Sequence, residues 1–300
     1  MSRWADLLTE QRLPASAELD ALPVPDLLRL INAEDARVAP AVADALADIA
    51  AAVELITTRL LGGGRLFYVG AGTSGRLGVL DAAECPPTFN TAADRVQGLI
   101  AGGREAAFQA VEGAEDRPEA GAADLAERGL SADDVVVGIA ASGVTPYVHG
   151  ALAHARAAGA GTVFFTCSPT ARTQVEADVR IVVAVGPEVV TGSTRMKAGT
   201  ATKLVLNMLS TATMVRLGKT YGNLMVDLQP RNAKLRDRMV RILGALTGLT
   251  AAQAQDLLAV ADGQLKVALV MQLGGVDAGA ARQLLADHGG VVRRAIAALE

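Results

Sequence analysis

Five short and largely apolar runs recur along the middle of the chain: Leu66–Val69, Val96–Ile100, Val135–Ala140, Thr162–Thr166 and Arg180–Val185. Runs that stay apolar at successive positions, rather than alternating, belong to strands buried on both faces, as in a parallel sheet. Between them lie segments of helical length, Gly75–Ala83, Glu105–Val111, Pro118–Arg128 and Pro146–Ala158. Strands alternating with helices imply right-handed crossovers. Upstream, helices are expected from about Asp26 and from Val38 to Leu61, where Gly62-Gly63-Gly64 stops the pattern. A long helix from about Thr200 to Leu217 follows the last strand. Beyond Gln229-Pro230 only short helices are expected, broken at Gly248, Gly263, Gly274-Gly275 and Gly289-Gly290. The predicted fold class is therefore α/β, a doubly wound parallel five-stranded sheet with N-terminal helices and a small C-terminal helical appendage. Its parts are an arm and helices over residues 1–54, the sheet domain over 55–218, and a connecting helix with the appendage over 219–300. The first 25 residues, with Pro14, Pro23 and Pro25, read as an arm rather than a core element.

Composition narrows the function. Hydrophobic residues make up 51% of the chain but aromatics only 3%, too few for a base-stacking surface. A net charge of −4 argues against a non-specific polyanion binder. Neither nucleic acid nor membrane is expected as a partner: no run of about 18 apolar residues occurs, and the charged start lacks the apolar core of a signal peptide. Cys85 and Cys167 form no CxxC pair, so a reduced, cytoplasmic setting is expected.

The chemistry gathers at glycine-rich and hydroxyl-rich loops. Gly70-Ala71-Gly72-Thr73-Ser74-Gly75 places a GxGxxG spacing between a strand and a helix. There the backbone can approach a phosphate at a helix N-terminus. The spacing also fits a dinucleotide fold, but the next strand ends Leu99-Ile100-Ala101-Gly102 without the carboxylate that would hold a ribose. Thr73 and Ser74 favour a terminal phosphate monoester, which has more oxygens to satisfy. Ser142-Gly143-Val144-Thr145-Pro146 repeats the pattern after the third strand, and Ser168-Pro169-Thr170 after the fourth. Open parallel sheets bind ligands at such strand ends, although Ser and Thr also serve as plain helix caps. Glu84, before Pro86-Pro87, is expected to end its helix. Glu115 sits in an acidic loop, Glu112-Gly113-Ala114-Glu115-Asp116, and taken alone both residues read as solvated surface, as most glutamates are. His149 and His154 read as helix surface or packing residues, and the three histidines have no metal-ligand spacing.

These stretches resemble a sugar isomerase (SIS) domain, a phosphosugar-binding fold. More narrowly, nearly the whole chain looks like the N-acetylmuramic acid 6-phosphate etherase family. The resemblance is carried by Leu8–Arg12, Ile31–Asp35, Gly70–Gly78 running into Asp81–Phe89, Ala110–Asp116, Gly192–Lys203, and Asn223–Asp227 leading to Asn232–Arg236. Leu13 and Val144 stand where the family usually has Asn and Arg.

The resemblance implies a cofactor-independent, metal-free enzyme of sugar-phosphate chemistry whose catalytic residues are Glu84 and Glu115. It implies Glu115 as the base that removes the C2 proton of the open-chain sugar, and Glu84 as the acid for departing lactate. Substrate contacts are expected from Gly72, Thr73, Ser74, Ser142, Gly143, Thr145, Ser193, Thr194, Lys197, Asn232 and Lys234. Arg195 and Lys197 would meet the phosphate or the lactyl carboxylate, or else form a solvated basic pair. A homodimer is implied, with Asn232 and Lys234 completing a neighbour's site. An aldose–ketose isomerase and a non-catalytic phosphosugar-binding regulator are the competing functions on this fold.

Overall fold

The computed structural model describes Trp4, residues 7–228 and residues 233–299, and these fall into two compact units. The first comprises Met1–Ala83 with Ala93–Ser210, the second Glu84–Ala92 with Thr211–Glu300.

The first unit opens with 3-10 turns and then α1 (Val24–Asp35), α2 (Val38–Ala43) and α3 (Leu46–Leu61). There follow β1 (Leu66–Gly70), α4 (Gly72–Phe89), β2 (Val96–Ile100), α5 (Gly103–Ala106), α6 (Pro118–Glu127), β3 (Val135–Ile139), α7 (Pro146–Ala157), β4 (Gly161–Thr166), β5 (Val179–Val182) and α8 (Lys197–Arg216). The five strands are parallel in the order β2-β1-β3-β4-β5. Phe67, Val69, Val136 and Phe164 pack with Leu125 of α6 and Tyr147, Val148 and Leu152 of α7. The alternate residues Leu66, Tyr68, Val135, Val137 and Phe165 are equally buried, and α3 packs on β3, β4 and β5. Both faces are covered, which is why the strand sequences do not alternate. Asp134 ties the starts of β1 and β3 together, accepting from the Arg65 and Ser131 backbone N–H groups and pairing with the Arg65 guanidinium at 2.8 Å. Burial alone would raise its pKa, yet these donors hold it below the ordinary carboxylate value.

Several elements differ from expectation for identifiable reasons. The Val38–Leu61 helix is two helices, because the chain turns at Asp44-Ala45 and the Ala45 N–H bonds Val42 instead of continuing the ladder. The Glu105–Val111 segment yields only the single turn α5. Phe108 is 82% exposed there and Ala106 is the buried residue of α5, too little apolar area to offset the cost of nucleation. β5 stops at Val182 rather than Val185, since the Val183 N–H makes the last bond to its neighbour β4, which ends at Thr166. Glu84 does not end its helix: α4 runs on to Phe89 with Pro86 and Pro87 inside it. Each proline removes one ladder donor, but buried Cys85 and Phe89 hold the segment, and the Asn90 N–H bonds the Pro86 carbonyl at 3.0 Å. The N-terminal arm is not peripheral throughout, because Leu7 and Thr9 are buried.

The second unit adds a two-stranded hairpin, β6 (Thr220–Tyr221) and β7 (Leu224–Met225), then α9 (Ala233–Thr247), α10 (Ala251–Val260), α11 (Leu265–Gly274), α12 (Ala278–Asp287) and α13 (Val292–Ala297). The helices end at the expected glycines. Thr250 and Gln253 form a capping box on α10, and Asp277 caps α12. Met239, Leu243, Leu269, Val270 and Val292 share one core. Asp227 accepts from both Lys219 and Lys266, at 2.7 and 2.8 Å. Burial pushes its pKa up, but the two lysines prevail and hold it low. Among the described residues no single helix is long and apolar enough to cross a membrane.

Candidate functional site

Parallel register brings the loops after β1, β3 and β4 out at one end of the sheet, because Gly70 aligns with Ile139 and Ile139 with Phe165. In the first loop the strand end and the helix start touch. A Cβ on Gly70 would lie 2.7 Å from the Gly75 nitrogen, so only glycine lets the backbone turn this tightly. Thr73 and Ser74, half-buried, stand in the first turn of α4, whose N–H groups have no partner within the helix. The Ser193–Thr194 loop comes to the same place. A Cβ on Gly199 would stand 3.5 Å from both Thr73 Cγ2 and the Thr194 carbonyl oxygen.

The second loop is braced by the third. Gly143 has φ +84, and a Cβ there would fall 2.1 Å from Ala171 Cβ. Thr166 Oγ1 accepts the Ser168 N–H and donates to the Ala141 carbonyl, while the Gly143 carbonyl meets His149 Nε2 at 2.9 Å. Thr145 precedes Pro146 at the start of α7, and Ser142 Oγ accepts the Val144 N–H at 3.4 Å. His149, which the sequence alone presents as a surface or packing residue, instead holds the loop carbonyl. Its position on the first turn of the helix that follows the loop is the available signal. Gly143→Ala is expected to lower stability by about 2 kcal/mol or more, from left-handed strain plus the Ala171 clash. A urea titration that gives an unchanged midpoint would contradict this packing.

The N-terminus of α8 is already occupied. Glu188, 1% exposed, accepts the Lys197 and Ala198 N–H groups at 3.0 and 2.9 Å. Burial raises its pKa, opposed by those two donors. Lys197 is 1% exposed with its ammonium paired to Glu34 of α1, so it is neither solvated nor free to follow a ligand. Arg195 is exposed. Behind this loop Gly192 donates its N–H to the Thr9 carbonyl of the arm.

Glu115 lies in the 3-10 turn Ala114–Asp116, entered through Gly113 at φ +72. It is exposed, and with Gly72 and Arg76 it lines a cavity of about 160 Å³. The fold thus brings the glycine loop, Thr73, Thr194 and Glu115 into one region of the first unit. Glu84 and Lys234 belong to the second unit, both exposed, on α4 and α9 respectively. Asn232 lies outside the described residues. A larger cavity of about 740 Å³ in the second unit is lined by Asp227 and Lys266, which neutralise each other.

An open parallel sheet with small hydroxyl loops at its carboxyl ends is the architecture of the SIS class of phosphosugar-binding proteins. Residues 120–212 match the SIS domain family, and residues 48–156 match the glucokinase regulatory protein N-terminal SIS domain. A phosphoheptose isomerase from Neisseria gonorrhoeae shares the fold, with a TM-score of 0.50 and 17% identity over 64% of this chain and 99% of that one. Much nearer in sequence are N-acetylmuramic acid 6-phosphate etherases. That of Gloeobacter violaceus is 59% identical over 96% of this chain and 94% of its own, and that of Mycolicibacterium smegmatis 58% over 97% and 98%. The chain belongs to the N-acetylmuramic acid 6-phosphate etherase family.

Proposed function

We propose that this protein cleaves the D-lactyl ether of N-acetylmuramic acid 6-phosphate, giving N-acetylglucosamine 6-phosphate and D-lactate in the recycling of cell-wall amino sugar. The observation that carries this reading is identity above 50% along the full chain with relatives of that name.

In the open-chain sugar the C2 proton is acidified by the neighbouring aldehyde. Glu115, beside the Gly72 loop, removes it; the C3–O bond then breaks as the C2=C3 double bond forms, and Glu84 protonates the departing lactyl oxygen. Water adds back at C3 and a proton returns to C2, which restores the sugar. The elimination needs one carboxyl to take a proton and the other to give one. Thr73, Ser74, Ser142 and Thr145 receive the phosphate with the first-turn N–H groups of α4. Ser193 and Thr194 close the site beside Thr73, Gly143 shapes the second loop, and Lys197 acts by holding its own loop through Glu34. Lys234 and Asn232 approach the ligand from a second copy of the chain. Exposed Val24 and Leu28 on α1 support a homodimer. Cys85 and Cys167, buried and not joined in a disulfide, support a reduced, cytoplasmic setting.

The test is release of D-lactate from the muramic acid phosphate by purified protein without metal or nucleotide. Release is expected to be equimolar with N-acetylglucosamine 6-phosphate and undiminished by EDTA. Absence of lactate alongside isomerisation of an unsubstituted hexose phosphate would overturn the reading.

A further inference from the structure

We propose that Arg76 is the specificity-determining residue for the lactyl carboxylate. The inference rests on the etherase reading, in which the substrate carries two anions, a phosphate at C6 and a carboxylate on the group attached to C3. The phosphate has the hydroxyl loops. The carboxylate hangs from the bond that breaks, one carbon from the proton assigned to Glu115, so it lies near Glu115. Glu112, Glu115 and Asp116 make that loop strongly negative, and a bound carboxylate there needs a cation to offset them.

Among the described residues, the basic side chain lining the cavity beside Glu115 is Arg76. Lys197 is committed to Glu34. Arg117, exposed, pairs with Glu119 at 3.1 Å. Arg76, half-buried on α4, faces the cavity shared with Gly72 and Glu115. Its Nε donates to the Ala107 carbonyl at 3.2 Å, which fixes the guanidinium plane. Among the described residues no acceptor engages its two terminal nitrogens. A fixed guanidinium presenting parallel N–H groups matches a carboxylate in the two-pronged way that a lysine cannot. The cavity, about 160 Å³, is smaller than the range of roughly 300–1,000 Å³ typical of a pocket for a whole ligand. It suits a substituent such as a lactyl group, with the sugar ring outside.

The experiment compares full-length wild type with Arg76→Met and Arg76→Lys. It measures lactate-release kinetics and competitive inhibition by N-acetylglucosamine 6-phosphate, which keeps the ring and phosphate but has no carboxylate. Arg76→Met is expected to raise KM for the muramic acid phosphate about 10- to 100-fold, as for loss of one charge-assisted pair. The inhibition constant of N-acetylglucosamine 6-phosphate should move less than about threefold by the same measure. Arg76→Lys should show a smaller rise in KM with the same unchanged inhibitor, and it carries the comparison if a thermal melt shows the Met variant unfolded. A parallel rise in both constants would make Arg76 a phosphate or structural residue and overturn the proposal, as would no change in either. Failure of the wild type to release lactate is a separate outcome, and it removes the etherase reading together with the inference.

Discussion

Glu84→Gln is expected to abolish lactate release while the substrate still exchanges its C2 proton with solvent. The two carboxylates act on different bonds. Removing the C2 proton needs only a base and the aldehyde, whereas expelling lactate needs a proton on an oxygen that is otherwise a poor leaving group. The substituted amide keeps the size of the side chain but has no acidic proton to give. A positioned acid or base typically contributes about 10²- to 10⁴-fold, enough to take turnover below detection. Glu115→Gln should remove both readouts, because nothing is expelled before the proton leaves. The measurement is NMR of recovered substrate in D₂O alongside an enzymatic lactate assay. Exchange lost in Glu84→Gln and retained in Glu115→Gln would reverse the two roles. Exchange and release surviving in both variants would remove the pair from the mechanism altogether.

How much of this was legible follows from what each feature depends on. Strands buried on both faces write themselves as contiguous apolar runs, so all five strands and their order of loops could be read to within a few residues. The hydroxyl loops were legible for the same reason, since they follow directly where the apolar runs end. Features set by distant partners were not. Lys197 reads as a ligand or a solvated base because Glu34, which neutralises it, stands in another helix far back in the chain. Pro86-Pro87 reads as a stop because local rules count two lost donors, while the burial of Cys85 and Phe89 that outweighs them is tertiary. The β6–β7 hairpin has two residues per strand, too few to show an alternation. Arg76 was legible as a residue of the glycine loop's helix, but its role depends on the Ala107 carbonyl and the cavity beside Glu115, which no local spacing announces.

Lys197→Met is expected to destabilise the protein by about 3 kcal/mol at neutral pH, the low end of the cost of breaking a buried ion pair by removing one partner. The low end applies because Glu34 keeps a bond to Arg37, at 3.0 Å, on its exposed side. The sign of the pH dependence follows from the pair. Burial acts to raise the Glu34 pKa, but the bonds from Lys197 and Arg37 overcome it and hold the folded value below 4.5. In the wild type its stabilising contribution is present above that reference value and is lost as pH falls through the lower folded value. Without Lys197, burial dominates and the folded value rises, so acid neutralises a buried charge and the variant gains relative stability. The gap of about 3 kcal/mol at neutral pH should therefore narrow toward pH 4. Urea titrations at both pH values test this. In a Glu34→Gln background, Lys197→Met should cost distinctly less, because no carboxylate is left unpaired. An equal cost in both backgrounds, or a gap that widens in acid, would show that Lys197 stabilises through packing rather than through Glu34. Loss of activity in Lys197→Met with stability intact would instead return Lys197 to direct contact with the substrate.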